Sequence, residues 1–454
     1  MGIRPTPLTT WKEFPFPSHV SDPFRDLEGE GSAVPGTRSF LGVPFPLAMT
    51  VTRFASALST RSDGTLALRE ATEELRRNLG GRSPDLVVVF VSPHHAPDFG
   101  EMAARLGNLT KARVLVGCCG ESVIGGPQEV ERGPALSLWA VACKDLDLHP
   151  FKLRAHPLDR LAAEFEGGNK IVYSGHPDFA RMPSNPGDSL LLFGDPYSFP
   201  ASDYLEILHR EAPGLAVTGG MASGARQRGN TALFLGGERL NHGAVGVLLR
   251  GGIELTNVIS HAHRPVGRPW VITSSEGAMV KKLGGRAASR VMMDTLGTLS
   301  PREQLSVRAA PVLGVAWDAS RREFDPSDFL AHPIRSLLPK KGAIVLTGEV
   351  RRGQTVQFMI RDAHSAGEDL ETRLRRYAGP PPSRSDGAGA LIFTCTGRGR
   401  RMFDEPNHDA GRVQAHLGEG VPVSGFFAGG EIGFLGDRNQ LQGFTASMAV
   451  YRAR

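Results

Sequence analysis

Three loops of one unusual kind recur in this chain, each an apolar run that ends in consecutive glycines and small residues. They read LVGCCGESVIGG from Leu115 to Gly126, AVTGGMASG from Ala216 to Gly224, and PVSGFFAGGEIG from Pro422 to Gly433. A strand followed by such residues can turn sharply and bring main-chain N–H groups close to a ligand without a Cβ in the way. Function is therefore expected at these strand ends, and their recurrence suggests duplication.

Around the loops the chain reads as one unit used four times: strand, helix, strand, small-residue loop, returning strand. The first runs from LVVVFV at Leu86 through a helix at Glu101–Leu106, ARVLVG and ALSLWAVAC. The second runs from SLLLFGD at Ser189 through DYLEILHREAP, LAVTGG and GAVGVLLRG. A third is expected from PVLGVAW at Pro311 through a helix in DFLAHPIRSLLP to GAIVLTGEV and VQFMIRDA. The fourth runs from ALIFTC at Ala390 through a helix at Ala410–Leu417 to PVSGFFAGGE and FTASMAVYRA. The intervals from Val87 to Gly117, Leu191 to Gly219, Leu313 to Gly348 and Leu391 to Gly425 are 30, 28, 35 and 34 residues, so these glycines are expected at equivalent turns.

Continuous apolar runs imply strands buried on both faces, and the short returns require antiparallel pairs. The fold class expected is α/β, with two related domains of mixed sheets covered by helices. The divisions are a proline-rich extended arm at 1–47, whose Trp11, Phe14 and Phe16 are able to dock on the body, and domains at 48–262 and 263–454. Two amphipathic helices are expected to open the folded part, one carrying Leu47, Val51, Phe54 and Leu58, the other Leu66, Leu68, Ala71 and Leu75.

A chain of 454 residues with 40% hydrophobic and 22% charged content can bury a large core. Its longest apolar runs are strand-sized, and the start MGIRPTPLTT has no secretory pattern, so the cytoplasm is the expected compartment and no membrane is expected as a partner. The match of that start to a myristoylation pattern is read as chance, with Pro5 close to the acceptor glycine. Net charge is +5 with arginines scattered and no lysine-rich block, so nucleic acid is not expected as a partner. The four cysteines, Cys118, Cys119, Cys143 and Cys395, form no C-x-x-C pair, and neither a disulfide framework nor a metal site is expected.

The order of GCCGES at Gly117–Ser122, TGGMASG at Thr218–Gly224, NHGAVGVLL at Asn241–Leu249 and RPVGRPWVITSSEGAMVKKLGGRAA at Arg264–Ala288 resembles the signatures of the FIST family, named for F-box and intracellular signal transduction proteins. FTCTGRG at Phe393–Gly399 and PVSGFFAGGEIGFLG at Pro422–Gly436 are similar to the C-terminal FIST domain. The resemblance spans about residues 48–454. It implies a stand-alone cytoplasmic sensory module that binds a small ligand such as an amino acid and signals to a separate output protein. Some members are haem-binding nitric oxide sensors, which makes haem the alternative cofactor where otherwise none is expected.

Within that frame, Arg398, between Gly397 and Gly399, can present a guanidinium to a carboxylate. Glu431, after Gly429 and Gly430, can receive an ammonium group, and together they match a zwitterion. The alternative is a buried Arg398–Glu431 ion pair that orders the loops. Cys395 is a candidate nucleophile for an enzyme reading, against a small buried thiol that packs in its strand. His94, His95, His261 and His263 are the candidate axial ligands, against ordinary loop histidines. Alternation puts Cys118 and Cys119 on opposite faces, so at most one faces any pocket. Ser223 sits in a nucleophile-like turn without the G-x-S-x-G spacing, and no phosphate-binding or dinucleotide motif is present, so an enzyme is not indicated.

Overall fold

The computed structural model of the protein describes residues 52–157, 171–179, 181–182, 185–317, 324, 328–377 and 387–454. The expected arm at 1–47 lies outside the described residues, as do Leu47 and Val51. The first stretch contains β1 (Arg53–Ser59), α1 (Gly64–Asn78), β2 (Leu86–Val91), α2 (Phe99–Thr110), β3 (Val114–Cys119), the hairpin β4 (Val123–Gly125) and β5 (Gln128–Val130), and β6 (Leu136–Ala142). The second contains β7 (Asp147–Pro157), β8 (Ile171–Ser174), β9 (Ser189–Gly194), α3 (Ala201–Glu211), β10 (Ala216–Met221), the hairpin β11 (Leu233–Leu235) and β12 (Glu238–Leu240), and β13 (Ala244–Arg250). Then come β14 (Ile253–His261), β15 (His263–Glu276), β16 (Met279–Leu283), β17 (Arg286–Ala287), α4 (Ala288–Gly297), α5 (Pro301–Ala309), β18 (Val312–Ala316), β19 (Phe329–Leu338), β20 (Ala343–Leu346) and β21 (Thr355–Arg361). The last stretch contains α6 (Ala363–Tyr377), β22 (Ala388–Cys395), α7 (His408–Leu417), β23 (Val423–Ala428), the hairpin β24 (Glu431–Leu435) and β25 (Arg438–Gln442), and β26 (Thr445–Ala453).

Three sheets share one strand order, and each is completed by a hairpin from another stretch. The first, β1-β6-β2-β3, is extended by β11–β12; the second, β8-β7-β13-β9-β10, by β24–β25; the third, β14-β26-β22-β23, by β4–β5. In each, the two strands joined by a helix are parallel, namely β2 with β3, β9 with β10, and β22 with β23, while the remaining pairs are antiparallel. The small-residue loops are the turns from which the exchanged hairpins leave. The class is thus α/β with mixed sheets, as the buried apolar runs imply.

The three sheets meet at an aromatic hub. Phe90, Phe193 and Phe393 occupy matching places in the first parallel strand of each sheet, with ring centroids 5.6, 6.2 and 5.9 Å apart, and Phe426 stacks on Phe90 at 5.0 Å. All four are fully buried. Each well-oriented aromatic pair adds about 1 kcal/mol beyond the area it removes from water.

One residue before each of the three phenylalanines, the partner strand carries glycine: Gly117 opposite Val89, Gly219 opposite Leu192, and Gly425 opposite Ile392. A Cβ there would sit 1.9, 2.0 and 1.9 Å from the carbonyl oxygens of Val89, Leu192 and Ile392. Backbone cannot retreat from such a contact, so no other residue fits.

Gly117, Gly219 and Gly425 thus lie within strands and not at the expected turns, and Gly348 does not share their setting, so the third expected unit is corrected. Residues 311–361 belong to an antiparallel sheet, β15-β21-β18-β19-β20-β16-β17, which closes through β15–β16 into a barrel whose wall is covered by α4 and α5. The helix expected in DFLAHPIRSLLP is the strand β19, because Pro333 would break a helical hydrogen-bond ladder. The first expected opening helix is also overturned: Phe54 and Leu58 lie in β1, paired with β6. A spacing of four keeps two residues on one face of a strand as well as of a helix, so it did not separate the two. The second helix is α1, capped by Asp63.

Gly425→Ala and Gly117→Ala should each cost about 3 kcal/mol or more, whereas Gly348→Ala, whose Cβ would meet only the movable His332 ring, should cost about 1 kcal/mol. Urea denaturation of the three variants checks this; equal losses would show that the close approach is not what fixes these glycines.

Candidate functional site

The apolar strand β22 delivers Thr394 and Cys395 to the end of the third sheet, and the chain then turns through Gly397 and a short 3-10 turn at Gly399–Arg401 before α7. Arg398 is drawn inside by this turn and is fully buried. Its partner is Asp409, in the first turn of α7: Nε and Nη2 donate to the two carboxylate oxygens at 2.7 and 2.8 Å. Thr394 Oγ1 also donates to Asp409, and His408 Nδ1 lies 2.8 Å from it. The His408 ring stacks on Phe403, and the Arg398 guanidinium lies 5.2 Å from the centre of that ring. Burial alone would strip the charge from both partners, but the bidentate pair outweighs it, holding Asp409 well below and Arg398 above their usual ranges.

The expected Arg398–Glu431 ion pair is therefore replaced by Arg398–Asp409. Glu431, at the start of β24, uses Oε2 to accept from the backbone N–H and the hydroxyl of Thr445 at 3.1 and 2.8 Å. It lies within electrostatic reach of Arg398, yet burial pushes its carboxyl up to about 8. Arg398 Nη1 and Glu431 Oε1 are both buried without a hydrogen-bond partner, as are both ring nitrogens of His263. Orphaned buried atoms are rare, and several in one place call for an explanation.

Cys395 lies between these groups. Its sulfur accepts from the Gly397 N–H at 3.4 Å, and the thiol is pushed up to about 12 by burial first and the Glu431 charge second. That favours a protonated thiol over a ready nucleophile. Beside it, Phe444 adopts φ +60°, a conformation costly for a bulky residue. Gly243, which precedes the returning strand of the second sheet as Phe444 precedes that of the third, has φ +76° at no steric cost. The Phe444 ring packs against His263 and under Arg361, with their centres 5.3 and 5.1 Å away, and it occupies the space above Gly397.

The exchanged hairpin β4–β5 buttresses the cluster from 280 residues away. Glu129 Oε1 accepts the N–H groups of Asp409 and Ala410 at 2.9 and 2.8 Å, capping α7, and Asn407 Oδ1 accepts from Glu129 N–H at 2.8 Å. Burial, then the Asp409 charge, raises Glu129 to about 7. Glu131 accepts the Arg400 N–H and lies against Gly399, which has φ +57°, and Arg401 pairs with Glu121. Gly429 N–H donates to the Met221 carbonyl and Met221 N–H to that of Gly430, so these two glycines join the third loop to the second. Ser223 donates to the Phe427 carbonyl and accepts from Glu121 N–H, which makes it a junction of the three loops.

Models of two domain families match the chain: the FIST N domain over residues 85–286 and the FIST C domain over residues 288–434. The chain belongs to the FIST family. FIST domains are signal-transduction sensory domains. Among FIST relatives, an uncharacterized protein of Mycobacterium tuberculosis strain H37Rv is 35% identical over 404 residues, covering 88% of this chain and 99% of its own length. Another, from Mycobacterium bovis, is 35% identical over 400 residues, covering 88% and 98%.

For a FIST member with haem, a histidine facing an apolar slot would be required. His95 is buried beneath the turn Pro93–Asp98, and His263 packs on Phe444. His94 borders a groove of about 710 Å³ lined by Glu121, Glu131 and Arg132, a charged lining unlike a haem face. Among the described residues no cluster of three or more His, Cys, Asp or Glu side chains could hold a metal ion, and no helix is long and apolar enough to cross a membrane.

Arg398, Glu431 and Cys395, singled out in the sequence, lie near one another in the structure, and the sequence did not single out their neighbours Asp409, Glu129 and Phe444. An acidic residue in the first turn of a helix was the available signal for Asp409. Nothing local points to Glu129.

Arg398→Ala leaves Asp409 buried without its cation and should cost about 3–5 kcal/mol, while Arg398→Met combined with Asp409→Leu should recover much of that loss. Chemical denaturation of the three proteins checks it; a double variant as unstable as the single would remove the ion-pair explanation. Glu431 binds a proton in the folded state that it releases when unfolded, at any pH between its ordinary 4.5 and about 8. Its contribution to stability is full below pH 4.5 and is lost as pH rises through 8. Glu431→Gln should flatten that decline, read as melting temperature against pH; an unchanged slope would mean that Glu431 does not titrate there.

Proposed function

We propose that the protein is a sensory module for a small polar ligand carrying both an ammonium and a carboxylate group, such as an amino acid. The observation that carries this reading is the pair of opposite, unpartnered buried groups, Arg398 Nη1 and Glu431 Oε1, under one loop. A carboxylate at Nη1 and an ammonium at Oε1 would satisfy both, and an ammonium at Glu431 would ionise an otherwise protonated carboxyl. The main-chain groups of Gly397, Gly399, Gly429 and Gly430 frame that site. Entry requires displacement of Phe444, whose strained backbone stores part of the cost.

On this reading, 48–262 and 263–454 act as two domains in the cytoplasm. Occupancy would alter the contacts of Glu129, Glu131 and Glu121 on the exchanged hairpin and its loop, and so be relayed to a separate output protein. The internal duplication is part of the same proposal: one unit recurs, and its last copy carries Arg398 and Glu431.

A thermal-shift screen over the amino acids tests it, because a ligand at a hundredfold excess over its Kd stabilises by about 2.7 kcal/mol. The hit should lose its effect in Glu431→Gln, and calorimetry in two buffers should show proton release on binding at pH 7. Absence of any hit, or a hit that is unchanged in Glu431→Gln, would overturn the reading.

A further inference from the structure

A second, open cavity lies at the carboxyl ends of the parallel strands β2 and β3, the end of a parallel pair at which ligands are commonly held in α/β sheets. Its volume is about 490 Å³, within the range of small-molecule sites. The walls combine the apolar residues Pro93, Pro97 and Phe99 with Cys119 at the end of β3, and the polar groups are Arg226, Asn230 and Arg239. No carboxylate is among the described residues that line it.

The two arginines differ in how they are held. Arg239, exposed on β12 of the exchanged hairpin, is tethered at one nitrogen: Nη2 donates to the Thr231 carbonyl at 3.3 Å, and its guanidinium lies 5.8 Å from the centre of the Phe99 ring. Its charge reaches Cys119, whose thiol burial pushes up to about 11. Arg226 is exposed on the second small-residue loop, near Ala225, whose carbonyl is held by Tyr197 at 2.8 Å. The carboxylate of Asp195, which also reaches Cys119, accepts from Ser198 through Oδ2, while its Oδ1 is buried without a hydrogen-bond partner.

We propose that this cavity binds a small monocarboxylate with a flat apolar body, the carboxylate between Arg226 and Arg239 and the body against Pro93, Ala96 and Pro97. Two guanidiniums with no carboxylate among the described residues lining the cavity favour an anion, and Arg239 Nη2 is already tied to the Thr231 carbonyl. The apolar wall excludes inorganic anions as the best fit and favours a ligand that also buries carbon. The site stands apart from the Arg398–Glu431 cluster and needs no ammonium group.

Benzoate and its neutral amide, benzamide, are the probes, titrated into the full chain by calorimetry and by thermal shift. Benzoate should bind and benzamide should not. Arg226→Ala, at an exposed position, and Arg239→Gln should each weaken benzoate about tenfold or more, while Glu431→Gln should leave benzoate binding unchanged. Arg226→Glu supplies a charge-reversed control that should abolish binding without touching Thr231 or Phe99. Equal binding of benzamide, no benzoate binding at millimolar concentration, or undiminished binding by Arg226→Glu would overturn the proposal. Loss of benzoate binding in Glu431→Gln would show instead that the probe occupies the other cluster.

Discussion

The structure depends on how closely three parallel strand pairs approach one another. Gly117, Gly219 and Gly425 bring the second strand of each pair against a carbonyl of the first, with no room for a Cβ, and the adjoining phenylalanines fill the centre. Each small-residue loop sends its hairpin to a different sheet, from first to third, third to second and second to first. The exchange pairs backbone groups that would otherwise be left on a sheet edge, which is one route by which proteins avoid exposed edges.

That exchange also explains why the charged cluster can exist. A bidentate arginine–carboxylate pair sealed from water is weak evidence for stability, since desolvation offsets most of its attraction. Here the carboxylate of Asp409 sits at the start of α7, whose N–H groups are capped by Glu129 from the first hairpin. The pair thus specifies where a helix, a loop and a distant hairpin meet. The same neighbourhood holds a carboxyl raised to about 8, a buried thiol and a strained aromatic residue.

The two candidate sites differ in the way a ligand would meet them. The cluster around Arg398 is enclosed, so binding there must be coupled to movement, a property suited to a sensor. The cavity beside Phe99 is open, with one arginine tethered at one nitrogen. Both lie at strand ends formed by glycine-rich turns, and both draw a residue from an exchanged hairpin, Glu129 in one and Arg239 in the other.

Local chemistry was legible in the sequence. Continuous apolar runs gave buried strands at Leu86–Val91 and Ser189–Gly194, and helical periodicity gave α1, α2, α3 and α7. Consecutive glycines marked the turns that carry Arg398 and Glu431. Even spacings misled where strand and helix share them, as at Phe54 and Leu58, and Pro333 was the overlooked sign that β19 is not a helix. The choice of partner was not legible, because Glu431 stands out beside its glycines and the sequence alone does not direct Arg398 to Asp409. Asp409 lies eleven residues away and Glu431 thirty-three, and only the packing of α7 against the exchanged hairpin brings the nearer one into bidentate contact. The sequence by itself determined the buried apolar strands and the glycine-rich turns after them, since these follow from backbone sterics and periodicity within a few residues. The tertiary structure alone decided which sheet each hairpin completes and which charges are paired, because both depend on contacts between residues as far apart as Glu129 and Asp409.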